Sequence, residues 1–170
     1  MVANSNEKRT VACRILSYAG WIEGSLPIAA KIALVDHLNR PVQLFRLVDV
    51  KLPEQTVRHP FFALTRSATV AVAPLGTVEI PPRVEGKIAH KTSWLLHGGI
   101  VIEGFLDLFE GVRVSDHLAH RTGFVALHDC TIYMPHAAAP TMVVPRVPFL
   151  ALQTDRAIGA SEIDGAEHIE

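Results

Sequence analysis

The sequence predicts an all-β protein: two tandem small five-stranded β-barrels, each carrying one or two short helical turns, related by internal duplication. Three observations lead there. The stretch from Trp21-Ile22-Glu23-Gly24 to Asp49 returns in register as Val101-Ile102-Glu103-Gly104 to Asp129, with nine identities in 29 positions. Pro60-Phe61-Phe62-Ala63-Leu64 returns as Pro148-Phe149-Leu150-Ala151-Leu152, so the second copy carries an insertion within residues 134–147. Between glycines and prolines the apolar residues run in short, mostly alternating stretches, the signature of strands rather than long helices. A self-similar period sets the architecture before any single residue does.

In chain order, residues 11–16 and 20–28 read as the first two strands, and 92–96 and 100–108 as their counterparts, with Ala19-Gly20 and Gly98-Gly99 at the turns. Gly24 and Gly104 mark strand bends where the backbone of a neighbour comes close. Ile32 and Leu34, like Val112 and Val114, suggest another short extended piece. A helical turn follows in each copy, capped by Asp36 in the first and Ser115 in the second, with Leu38 and Leu118 pointing into the core.

Residues 44–52 and 124–133 are the central strands, with Phe45 and Leu47 on one face and Leu44, Val48, Val50 and Leu52 on the other. Two faces this apolar call for a cover, and the other copy is the expected one. Asp49 and Asp129 interrupt the strands at a turn cap or a bulge. Two short strands close each copy, near 61–65 with 68–73 and 149–153 with 156–160. The expected domains are 10–74 and 90–160, joined by a linker over 75–89 that holds Pro81-Pro82 and an extended Glu79-Ile80. Residues 1–9 and 161–170 are expected to be flexible termini.

Composition excludes several classes. Hydrophobic residues at 49% and charged residues at 19% exclude wholesale disorder. A net charge of -1 provides no global field for nucleic acid or acidic membrane. Cys13 falls opposite Ser93 and Cys130 opposite Val50 in the repeat, which indicates buried thiols rather than a disulfide framework. Residues 1–10 lack the apolar core of a signal peptide, and no run is long enough to span a bilayer. A soluble, cytoplasmic protein without cofactor is the expectation.

Gly24-x-Leu26, then Asp36-x-x-Asn39, then an apolar strand ending in Asp49, resembles a loose Sm-type signature. The second copy resembles the frame I-x-G … R-x-S-D-x-L … F-x-x-L-x-D … P-F-x-A-L of an uncharacterised group of small bacterial proteins. Ile102, Gly104, Arg113, Ser115, Asp116, Leu118, Phe124, Leu127, Asp129, Pro148, Phe149, Ala151 and Leu152 carry that likeness. The resemblance implies a strongly bent Sm-like or SH3-like small barrel. It implies RNA contact through Asn39 and Arg66, although the second copy has Ala119 where the first has Asn39, and Arg66 lacks a following glycine.

Glu23, Asp36, His37, Glu103, Asp116 and His117 recur in both copies and form the candidate polar site. A recurring Asp-His pair invites a catalytic reading, yet no nucleophile, orienting group and oxyanion donor accompany it. The structural alternative, a turn-capping Asp beside a surface His, is the stronger. No metal is expected; the weak alternative is Asp116, His117, His120 and His128, a set the first copy does not reproduce. Arg14, Arg40, Arg46, Lys51, Arg58 and Arg66 make the first copy the more basic, and lacking interleaved aromatics they read as a solvated face.

The leading functional reading is therefore not an enzyme. It is a protein-interaction or scaffold module of two packed small β-barrels, with a protein partner or a second copy docking on an apolar loop at Met134, Val143 and Val144. An Sm-like RNA-associated protein is the first alternative, with nucleic acid disfavoured. A small-molecule or metal-binding protein is the second.

Overall fold

Antiparallel pairing accounts for every strand in the computed structural model, which describes residues 7–76, 79–136 and 139–163, without the side chains of 136 and 139–145. The described residues form an all-β protein with two short α-helices. Its chain separates into two units at Pro81/Pro82. The first holds β1 (Lys8–Ser17), β2 (Gly20–Ala29), α1 (Leu34–Leu38), β3 (Leu44–Lys51), β4 (Arg58–Thr65) and, after one 3-10 turn, β5 (Thr69–Pro74). Its sheet runs β5-β1-β2-β3-β4. In the second come β6 (Lys87–Leu96), β7 (Val101–Phe109), α2 (Val114–His120), β8 (Phe124–His136), β9 (Ala139–Gln153) and β10 (Ala157–Glu162). That sheet runs β10-β6-β7-β8-β9.

The central strands of the two units share one set of registers. Glu23 faces Lys51 and Ser25 faces Val48, as Glu103 faces Thr131 and Phe105 faces His128. Leu47 faces Phe62 as Leu127 faces Leu150. The first strands correspond one residue away from the sequence expectation: Cys13 faces Gly24 while Thr92, not Ser93, faces Gly104. A longer turn after β6, with Gly98 and Gly99 both at positive φ, absorbs the difference. The inward rows are apolar throughout. Ile22, Leu47, Ile102 and Leu127 are each at most 3% exposed, and burying such a side chain is worth roughly 1.5–3 kcal/mol before entropy is counted.

Three of the recurrent residues explain one another. Asp49 and Asp129 sit in the left-handed region, at φ 53 and 49, and each makes a bulge in its central strand. The bulge carries Val50 to the inward side with Phe45 and Leu47, so the sequence expectation for the faces of β3 fails beyond Asp49. It also brings Val50 and Cys130 against Gly24 and Gly104. A Cβ on Gly24 would lie 3.0 Å from Val50 Cγ2, and one on Gly104 would lie 2.8 Å from Cys130 Sγ. Pro60 and Pro148 stand across from the bulges, where the ladders skip a pair and a missing N–H costs little.

Other expectations are corrected. The extended piece through Ile32 and Leu34 is a turn, and the helices start at Leu34 and Val114, both buried. Their N-caps are Ala33 and Arg113, without side-chain bonds, so Asp36 and Ser115 are helical residues rather than caps. Leu38 is fully buried but Leu118 only half-buried. The apolar loop expected over 134–147 is largely hairpin: Tyr133 faces Val143 and Met134 faces Met142. Prolines that read as loop signals lie within β9. Strand β1 begins at Lys8, inside the expected leader, and β6 at Lys87, inside the expected linker. Glu79 is in a turn rather than extended, and its carboxylate pairs with Arg9.

Candidate ligand-binding site

The outward rows of the first unit are fixed by strand alternation. With Phe45 and Leu47 inward, Arg46 and Val48 face out, and Phe61 stands across from Val48 on β4. At the other side of the same face Lys8 opens β1 across from Ala29, the last residue of β2. The end of α1 supplies His37 and, just beyond it, Arg40. Together these residues line a concavity of about 470 Å3, with Glu7, Pro27 and Ile28 also in its wall. The side chains of Lys8, Arg40 and Arg46 make no ion pair among the described residues. His37 Nδ1 is buried without a hydrogen-bond partner. Burial, and then Arg40, lower the pKa of His37 below its usual 6.5. The neutral imidazole is thus favoured beside two guanidinium groups.

A second concavity of the first unit, about 510 Å3, lies by the β1–β2 turn and is walled by Ile22, Leu52, Pro53, Phe62 and Leu64. Glu54 is its charged lining residue. It lacks the convergent cations of the first.

The second unit uses the matching positions differently. Arg46 corresponds to Ala126, Val48 to His128 and Pro27 to Asp107. His128 is 7% exposed, its Nε2 is 3.9 Å from Asp107 Oδ2, and Arg83 Nη1 is 3.6 Å from Asp107 Oδ1. The His128 ring also packs at a tilt on Phe149, with centroids 5.9 Å apart. At these positions a buried imidazole faces a carboxylate, where the first unit has Val48 and Pro27. Asp107 carried no motif and was not legible as a site residue. The usable signal was a difference in charge at equivalent repeat positions, not their identity.

Of the residues the sequence singled out, few come together. Glu23 pairs across the strands with Arg14 at 3.5 Å, and Glu103 accepts a long hydrogen bond from the Tyr133 hydroxyl at 3.5 Å. Asp36 and Asp116 are exposed in the first turns of α1 and α2, where a carboxylate complements the helix dipole. His117 is half-buried, and burial, followed by Arg121 and Lys87, lowers its pKa. Of this set only His37 lines the concavity. His120 Nδ1 lies 2.8 Å from the backbone oxygen of Asp116, whereas His128 faces Asp107. The weak metal set is therefore not assembled, and among the described residues no three His, Cys, Asp or Glu side chains converge on one point.

Arg66, expected to contact RNA, donates from Nη1 to the backbone oxygens of Leu38 and Arg40. It closes the C-terminal end of α1. Asn39 is the C-cap of that helix. Both cysteines are buried, and burial pushes their thiols up to about 12, with Glu79 adding to the effect at Cys13 and Asp129 at Cys130. Neither is an activated nucleophile. Met134 is half-buried, and the side chains of Val143 and Val144 lie outside the described residues. No described helix is long and apolar enough to cross a membrane.

No family model matches the chain, and neither a curated protein nor a solved structure matches it.

Proposed function

We propose that the protein is a non-enzymatic interaction module, two duplicated copies of one small barrel-like unit, that associates head to tail with a second copy of itself through its open sheet edges. The observation that carries this reading is a contrast in exposure at equivalent positions. Phe61 is 57% exposed where Phe149 is 0%, and Leu44 is 52% exposed where Phe124 is 4%. On the opposite edge type, Ile158 is 58% exposed where Val70 is 3%, and Leu95 is 44% exposed where Leu16 is 0%. The units that end in β4 and β10 thus expose apolar side chains at positions whose counterparts in the other unit are buried. Exposed apolar edge strands are the surfaces on which chains pair.

Because β4 and β10 are different surfaces, their pairing is heterologous and yields a closed ring or an open filament. The second copy is the favoured occupant since one chain offers both complementary edges. The Sm-like RNA reading has less support: Arg66 is engaged with backbone, and Asn39 ends a helix. Sedimentation velocity over a concentration series tests the proposal. The wild-type chain should exceed its monomer mass of 18.6 kDa as concentration rises, and Phe61→Lys should stay monomeric. A wild-type chain that remains monomeric at every concentration overturns the proposal.

A further inference from the structure

We propose that the basic concavity of the first unit is a binding site for a small dianionic ligand with an apolar body, a phosphate monoester. The charge balance sets the class. Lys8, Arg40 and Arg46 contribute three positive charges and Glu7 one negative, and His37 is favoured neutral, so a monoester dianion matches the remaining two. Two guanidinium forks and an ammonium are the usual donors to phosphate oxygens, and none of the three is held by another ion pair among the described residues.

The rest of the wall is apolar. Pro27, Ile28, Val48 and Phe61 surround a space of about 470 Å3, the scale of a small-molecule pocket. Inorganic phosphate would leave that wall wet, whereas an aromatic monoester covers it. The second unit sharpens the assignment. It has Ala126 for Arg46, Asp107 for Pro27 and His120 for Arg40, so the equivalent place has lost two guanidinium groups and gained a carboxylate. The second copy keeps Lys87 and Arg121 near His117, so the contrast lies in Arg46 and Pro27 of the first copy against Ala126 and Asp107 of the second.

The test titrates the full chain with phenyl phosphate, inorganic phosphate and phenol, by calorimetry and by chemical-shift mapping. Phenyl phosphate should bind tightest, with shifts at Lys8, His37, Arg46 and Phe61; phenol should not bind measurably. Arg46→Ala places at an exposed strand position the residue its counterpart already has, and the fold should persist. It should weaken phenyl phosphate binding by at least about tenfold, the loss of one charge-assisted contact. Lys8→Gln should act in the same direction, while Arg113→Ala, on an exposed residue of the second unit, should change nothing. Equal affinity for phenyl phosphate in wild type and Arg46→Ala overturns the proposal. So does an oligoribonucleotide without a terminal phosphate that outcompetes phenyl phosphate, because a strand-binding track would then be the better description. Phe61 belongs both to this wall and to the β4 edge, so the two readings are separated through Arg46→Ala and Lys8→Gln, which lie off that edge row and should leave self-association unchanged.

Discussion

Replacing Gly104 by alanine probes the packing of the bulge directly. The added Cβ would sit 2.8 Å from Cys130 Sγ, 3.2 Å from His128 O and 3.5 Å from Leu127 Cβ. Cys130 is 0% exposed and a backbone oxygen cannot swing away, so the strand must shift. Overpacking of this kind costs about 1–3 kcal/mol. Against it stands a gain of roughly 0.5–1 kcal/mol from removing a strand glycine's excess freedom. The expected net loss is about 1–2 kcal/mol. Gly24→Ala is the internal control: its nearest contact is 3.0 Å to the tip of Val50, with everything else at 3.6 Å. It should fall within about 0.5 kcal/mol of wild type, the range of a strain nearly offset by the entropy gain. Urea unfolding followed by the buried Trp94 reports the second unit, and Trp21 the first. Adding Cys130→Ala should recover part of the Gly104→Ala loss, a coupling of about 1 kcal/mol. Additive losses in the double variant would refute the steric argument.

Arg66→Ala removes two charge-assisted bonds to the carbonyls of Leu38 and Arg40 and should cost the first unit about 1.5–3 kcal/mol, read as a lower urea midpoint on Trp21 alone. Asp129, at φ 49, tolerates its left-handed backbone better than a β-branched residue does; Asp129→Val should destabilise by about 1–2 kcal/mol while Asp129→Gly should be close to neutral, by thermal unfolding. The lowered pKa of His37 means that the folded state takes up its proton later than the unfolded state. The His37 contribution is therefore fully present above the unfolded value of 6.5 and declines as pH falls through it. His37→Gln should flatten the difference in the first unit's urea midpoint between about pH 7.5 and 5.5, leaving the second unit's His117 response in place.

Much of the scaffold was legible because its constraints repeat. A glycine at 24 and 104, an aspartate at 49 and 129, and a proline at 60 and 148 are one device: a bulge, the space it needs, and the partner that gives up no useful N–H. Alternation alone could not locate Val50, because a single bulged residue reverses the inward and outward assignment after it. Capping rules placed the helix starts three residues late in the first unit and two in the second, since Leu34 and Val114 anchor those turns by burial without a capping side chain. Val114 N–H instead donates to Glu162 Oε1 at 3.1 Å, from a strand far along the chain that no local rule reaches. The candidate ligand site was missed for a related reason. Lys8, Arg40 and Arg46 are scattered in sequence and meet only because β1, β3 and the end of α1 border one outward face.

Mixing two edge-blocked chains tests the head-to-tail account most directly. Phe61→Lys closes the β4 edge and leaves β10 open; Ile158→Lys does the reverse. Each alone should sediment as a monomer, since its one open edge finds no complementary partner. An equimolar mixture should form a 1:1 dimer and nothing larger, joined through β4 of the Ile158→Lys chain and β10 of the Phe61→Lys chain. A mixture that stays monomeric, or either variant that dimerises alone, would contradict heterologous pairing of the open edges.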